Sequence, residues 1–67
     1  MNDDTSKGLF KQIRGNLKSA FGKLTDDDMM EIEGNAEAGV GRLQERYGYT
    51  REQAEMEWKK FRQQHGF

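Results

Sequence analysis

The 67-residue chain contains no cysteine and no proline, and it has a single histidine. Without cysteine it can form neither a disulfide nor a thiolate metal site, so a small fold has to be held together by packing alone. No run of apolar residues is longer than two, and the polar, acidic first residues do not resemble a secretory signal. We therefore expect one cytoplasmic domain over residues 1–67, with frayed ends at 1–5 and 65–67.

The residue types needed for catalysis are also scarce. The lone histidine, His65, lies near the chain end, and no serine or cysteine is paired with a second base. The one carboxylate cluster begins with Asp26, Asp27 and Asp28, and adjacent aspartates at a helix start point in different directions rather than toward one ion. We interpret this cluster as helix capping, and we predict no catalytic residue, no metal site, no cofactor and no small-molecule substrate.

Apolar residues recur at intervals of three and four, which predicts helices that each bury one face. Thr25 with Asp28, and Thr50 with Gln53, have the spacing of capping boxes at helix starts. The sequence contains no alternating run of β-branched residues, so no strand is predicted. The predicted helices span 6–22, 26–33, about 36–47, and the residues after Thr50. The predicted core is Phe10, Ile13, Leu17, Phe21, Leu24, Met29, Ile32, Val40, Leu43, Tyr47, Ala54, Trp58 and Phe61.

One pattern, Gly-x-Leu-x-x-x-aromatic-Gly, occurs at residues 15–22 and again at 41–48. A threonine follows each copy within three residues, so a helix, a glycine stop and a threonine-capped helix occur twice. The repeat predicts two helical hairpins, and hence a small all-α bundle of four helices.

Gly15, Gly39 and Gly41 fall inside predicted helices. A glycine there costs about 1 kcal/mol relative to alanine, so a compensating role is expected. We favour a close approach of two helix backbones at these positions, with flexibility or a partner surface as the alternatives.

Charge is unevenly distributed along the chain although the net charge is only −1. Residues 1–24 carry five Lys and Arg against two Asp, a net +3; residues 25–49 carry two Arg against seven Asp and Glu, a net −5. Residues 50–67 carry a net +1. There is no overall basic character that would favour nucleic acid.

The first helix nevertheless carries a basic stripe, formed by Lys7, Lys11, Arg14 and Lys18. Their spacing places these side chains on one face, where they could meet phosphates of DNA or of an anionic membrane. The plainer interpretation is a solvated face that also attracts the acidic middle segment.

Three apolar residues, Leu9, Met30 and Met56, lie off the buried faces of their predicted helices. If they form one exposed patch, it is a candidate surface for a protein partner or for weak self-association.

Several motifs in order carry a family resemblance: Gly22-Lys-Leu-Thr-Asp-Asp-Asp28, Ile32-Glu-Gly34, Gln44-Glu-Arg-Tyr-Gly-Tyr49 and Gln53-Ala-Glu55. Over about residues 8–58 the chain resembles the CsbD-like family of small bacterial stress-response proteins. The resemblance implies a cytoplasmic, non-enzymatic protein of general stress or stationary phase, with no catalytic residues to carry over. It also implies a SAM-domain-like fold of two α-hairpins packed crosswise.

Two hypotheses follow for the function. The first is a non-enzymatic interaction or protective module whose partner is unknown, favoured by the segregated charges and the lack of catalytic pairs. The alternative is a binder of phosphate surfaces, DNA or anionic membrane, that uses the basic stripe of the first helix.

Overall fold

The computed structural model describes the backbone of residues 3–66 and the side chains of residues 11–66. It contains four helices and, within this range, no strand, which confirms the all-α prediction. The helices are α1 (Asp3–Ala20), α2 (Asp26–Gly34), α3 (Ala38–Tyr47) and α4 (Arg51–His65). The side chains of Lys7, Leu9 and Phe10 lie outside the described residues, and the fraying of both ends stays a prediction.

Both predicted threonine caps are present, but only the one at Thr25 forms the complete capping box that was predicted for both. Thr25 Oγ1 accepts a hydrogen bond from Asp28 N at 3.1 Å while Thr25 N donates to Asp28 Oδ2 at 3.0 Å, which completes a capping box. Thr50 Oγ1 accepts a hydrogen bond from Gln53 N at 3.1 Å at the start of α4. These bonds satisfy amide groups that the first turn of a helix leaves unpaired, so the threonines fix where α2 and α4 begin.

Three predicted helix boundaries are wrong: α1 begins at Asp3, three residues before the predicted start, and two other boundaries differ by two residues. α1 ends at Ala20 rather than at Gly22, because the chain turns there with a hydrogen bond from Leu24 N to Phe21 O at 3.1 Å. α3 begins at Ala38 rather than Ala36, because residues 35–38 form a turn. In this turn Glu37 N donates a hydrogen bond to Asn35 Oδ1, and Ala38 N donates one to Asn35 O. Gly48, in contrast, ends α3 as predicted, in the left-handed conformation at φ 72°.

The four helices form a closed ring of contacts. α1 packs on α2 and α4, α3 packs on α2 and α4, and the α3–α4 contact is the most extensive. No Cα atom of α2 lies within 8 Å of one of α4. Each predicted hairpin is therefore a pair of contacting helices, while their SAM-domain-like crosswise packing stays a prediction.

The core inside this ring is almost the predicted one. Tyr47 differs, because it is half-buried and packs against the core together with Ala38 and Tyr49. Leu17, Ile32, Leu43 and Ala54 are fully enclosed. The complete buried apolar cluster is Ile13, Leu17, Phe21, Leu24, Met29, Ile32, Val40, Leu43, Ala54, Trp58 and Phe61.

Of Gly15, Gly39 and Gly41, only Gly39 serves a close approach. A Cβ atom at Gly39 would lie 2.4 Å from Cε2 and Cζ2 of the buried Trp58 indole, so α3 and α4 can meet only if residue 39 has no side chain. A Cβ atom at Gly15 or Gly41 would meet nothing within 4 Å. The prediction of close packing is therefore right for Gly39 and wrong for the other two.

The glycine difference predicts opposite effects for two alanine substitutions in α3. Gly39→Ala should lower the free energy of unfolding by about 1–3 kcal/mol, because Trp58 has to move out of a filled core. Gly41→Ala should raise it by about 0.5–1 kcal/mol, because alanine favours the helix and meets open space. Urea unfolding followed by circular dichroism measures both, and a loss of stability for Gly41→Ala equal to that for Gly39→Ala would contradict the assignment.

Candidate functional site

Two methionines are the large apolar side chains left exposed in residues 11–66. Met30 on α2 is 61% exposed and Met56 on α4 is 62% exposed. Met29, next to Met30 in the sequence, is 1% exposed because one step along a helix rotates a side chain by about 100°. The helices that carry these two methionines, α2 and α4, do not contact each other. A single patch that includes Leu9 stays a prediction.

One member of the basic stripe forms an ion pair within the protein. Lys11 and Lys18 are exposed, whereas Arg14 of α1 donates from Nε to Glu33 Oε2 of α2 at 2.8 Å and contacts the same carboxylate through Nη2. The Arg14 charge is thus offset by an acidic side chain of the middle segment, as the solvated-face interpretation expects. Lys7, the remaining member, lies outside the residues whose side chains are described.

The acidic cluster serves the fold through Asp28. Asp26 and Asp27 are exposed, but Asp28 is 3% exposed and is the buried charged residue of the described core. Arg46 of α3 donates from Nε to Asp28 Oδ2 at 2.7 Å and from Nη2 to Oδ1 at 3.0 Å. This two-pronged pair is the geometry that carboxylate and guanidinium favour, and it links α2 to α3.

The pair shifts the titration of both partners. The hydrogen bond from Arg46 holds the pKa of the Asp28 carboxyl well below its ordinary value of 3.8, against the opposing effect of burial, and the Thr25 amide adds to the lowering. The hydrogen bond to Asp28 likewise raises the pKa of Arg46. A carboxylate held in the ionised form is suited to an ion pair and unsuited to general acid catalysis.

Two further arginines connect elements of the bundle. Arg42 of α3 lies 3.4 Å from Glu31 of α2, and Arg62 of α4 donates to Glu37, just before α3, at 3.2 Å. Sequence reasoning missed these pairs, although the acidic middle segment between two basic segments was the signal for them. Such solvent-accessible pairs contribute little each to stability.

An open groove of about 430 Å³ lies between the start of α3 and α4. Val40 and Trp58 are its apolar lining residues, and the sequence did not predict this groove. Its two glutamates already pair with arginines, Glu37 with Arg62 and Glu55 with Arg51 at 3.0 Å. The groove is therefore bordered by charges that largely neutralise each other.

Two further findings concern residues in the described part of the chain. No three of their histidine and carboxylate side chains come together as the ligands of a metal ion would. None of their helices combines the length and the apolar character that crossing a membrane requires.

Comparison with known proteins decides the family. A sequence model of the CsbD-like family matches residues 4–56, which include the Asp28–Arg46 pair and all of α2 and α3. The chain belongs to the CsbD-like family. The family match confirms the resemblance seen in the sequence motifs, and it covers both exposed methionines.

Bacterial relatives extend over nearly the whole chain. A UPF0337 protein of Protochlamydia amoebophila is 51% identical over 97% of this chain and 98% of its own length. A UPF0337 protein of Pseudomonas aeruginosa is 51% identical over 91% and 94%, and YjbJ of Escherichia coli K12, also a UPF0337 protein, is 54% identical over 85% and 83%. No solved structure gives a significant match.

The Asp28–Arg46 pair predicts a stability difference between two neighbouring aspartates. Asp28→Asn should lower the free energy of unfolding at pH 7 by about 2 kcal/mol, because a charged hydrogen-bond pair is lost. Asp27→Asn removes the same charge from the same turn at an exposed position, and should change stability by no more than about 0.5 kcal/mol.

The stability difference between wild type and Asp28→Asn should depend on pH. Because the pKa of Asp28 is lower in the folded than in the unfolded state, its stabilisation is complete above about pH 5 and is lost as the pH falls through and below 3.8. The difference between wild type and Asp28→Asn should therefore narrow from pH 7 to pH 2. Urea midpoints at both pH values measure it, and a difference that does not change with pH would contradict the ion pair.

Proposed function

We propose that this member of the CsbD-like family is a non-enzymatic stress-response protein of the cytoplasm that protects other proteins by weak, reversible contact through Met30 and Met56. The observation that carries the proposal is their exposure, 61% and 62%, in a protein whose other large apolar side chains in residues 11–66 are buried or half-buried. The stress role and the cytoplasmic location follow what the family resemblance implies.

Methionine is suited to contact with many different apolar surfaces. Its side chain is unbranched and its sulfur is polarizable, so it adapts to irregular partners that a branched side chain would not fit. Proteins that begin to unfold under stress expose irregular apolar segments of this kind. The partner we propose is therefore an apolar segment of a partly unfolded protein, rather than one folded surface.

Acidic side chains next to both methionines favour reversible contact. Met30 precedes Glu31, and Met56 lies between Glu55 and Glu57. Charged neighbours keep the apolar area around each methionine small, which opposes permanent self-association while leaving a single thioether side chain available. Contact of this size is weak, as a protein that must release its partners requires.

Met30 and Met56 lie on well-packed helices but do not take part in the core. Met29 and Ile32 bury the opposite side of α2, and Trp58 and Phe61 do so for α4. Both exposed side chains thus stand on elements fixed by the core, and their replacement should leave the fold intact.

The phosphate-binding alternative stays a prediction. Lys11 and Lys18 are exposed and could contact phosphates, whereas the Arg14 guanidinium already binds Glu33. A pair of double variants separates the two functions, since each replaces two exposed side chains with glutamine: Met30→Gln with Met56→Gln, and Lys11→Gln with Lys18→Gln.

The test measures protection of a heat-labile enzyme from aggregation by light scattering, with DNA and anionic vesicles as separate binding arms. Met30→Gln with Met56→Gln should remove most of the protection and weaken binding to the unfolding enzyme by roughly tenfold or more, because two apolar contacts are lost. Lys11→Gln with Lys18→Gln should protect as wild type does. Circular dichroism should show wild-type helicity for both.

Two results would overturn the proposal. One is unchanged protection by the methionine variant. The other is salt-sensitive binding to DNA or vesicles that only the lysine variant loses, which would establish the phosphate-binding alternative instead.

A further inference from the structure

We propose that Met30 and Met56 are sites of reversible oxidation by hydrogen peroxide, and that sulfoxide formation at these two positions turns off their apolar contacts while the fold stays intact. The oxidation itself depends only on the structure. Its effect on contact rests on the proposed function.

The three methionines in the described part of the chain differ sharply in access. Met30 and Met56 expose 61% and 62% of their surface, whereas Met29 exposes 1% within the core. Methionine oxidation requires the oxidant to reach the sulfur, so accessibility separates these residues. Met29 and Met30 are adjacent in the sequence and share one helix, which makes Met29 an internal control for everything except exposure.

The charges around the two methionines differ. Asp26 and Asp27, four and three residues before Met30 on α2, are exposed carboxylates on the Met30 side of that helix. Around Met56, Glu55 pairs with Arg51 and Glu57 lies 3.9 Å from Lys60, so little net negative charge remains. An anionic oxidant is therefore repelled at Met30 more than at Met56, whereas the approach of uncharged hydrogen peroxide is unaffected at both.

The chemistry is a two-electron oxygen transfer. The thioether sulfur attacks the distal peroxide oxygen, and a sulfur–oxygen bond forms as the oxygen–oxygen bond breaks. Sulfur is oxidised by two electrons, and hydrogen peroxide is reduced to water once the proton has moved to the leaving oxygen. Methionine sulfoxide reductases reverse the change with a thiol reductant, so the modification is reversible.

The structure tolerates the product at the two exposed positions and not at the buried one. A sulfoxide is polar, and at Met30 or Met56 its oxygen remains in water. At Met29 the same oxygen would be enclosed in the apolar cluster without water, which destabilises the fold. Oxidation therefore makes the two contact positions polar while the core is preserved.

The experiment treats the full-length protein with hydrogen peroxide and follows each methionine by tryptic digestion and tandem mass spectrometry. Met29 and Met30 share the peptide 24–42 and are distinguished by fragmentation between them, and Met56 lies in the peptide 52–59. Met30 and Met56 should be oxidised roughly tenfold or more faster than Met29, because Met29 reacts only after unfolding. The thermal midpoint of the oxidised protein should match that of the untreated protein.

Protection assays complete the test. Oxidised wild type should protect as poorly as Met30→Gln with Met56→Gln, that double variant should not respond to peroxide, and sulfoxide reductase should restore wild-type activity. Equal oxidation rates at Met29 and Met30, or full protection by oxidised wild type, would overturn the inference. If the double variant protects as well as untreated wild type while oxidation is still selective, the proposed function fails and the oxidation sites stand.

Discussion

Trp58 fills the space that a side chain at position 39 would need, and this close approach of α4 to α3 is the constraint on which the rest of the bundle depends. The indole lies 6.4 Å, ring centre to ring centre, from Phe21 after α1, and it stacks on Phe61 at 5.5 Å. One aromatic side chain thus joins the largest helix–helix contact to the end of α1. In a chain without disulfides, such shared packing supplies the cohesion that a small core otherwise lacks.

Around this core the charged residues divide into two groups. Arginines bind carboxylates of neighbouring elements, most firmly Arg46 with Asp28, and so hold the short helix α2 in place. Lys11 and Lys18 remain exposed on α1. The planar, two-pronged guanidinium suits the structural pairs, since an ammonium group cannot match a carboxylate in the same way. The fold thus uses part of its basic charge internally and keeps Met30 on a well-anchored helix.

The sequence predicted most of the fold, because the signals involved are local. Apolar spacing identified the buried faces, and Thr25 and Thr50 marked two helix starts. Gly39 and Gly41 could not be separated by sequence, since only the position of Trp58 distinguishes them. The partner of Asp28 is 18 residues away and depends on how α2 lies against α3. The helical spacing predicted that Met30 and Met56 are exposed, but it does not identify the partner that they contact.

The most direct test of the account is methyl NMR of the methionines during titration with a partly unfolded protein. Carbon-13 labelled methyl groups report separately on Met29, Met30 and Met56 in one spectrum. The account predicts that the Met30 and Met56 signals shift or broaden on binding, while the Met29 signal remains unchanged because the core is unaltered. Binding that perturbs only the amides around Lys11 and Lys18, with all three methionine signals unmoved, would contradict it.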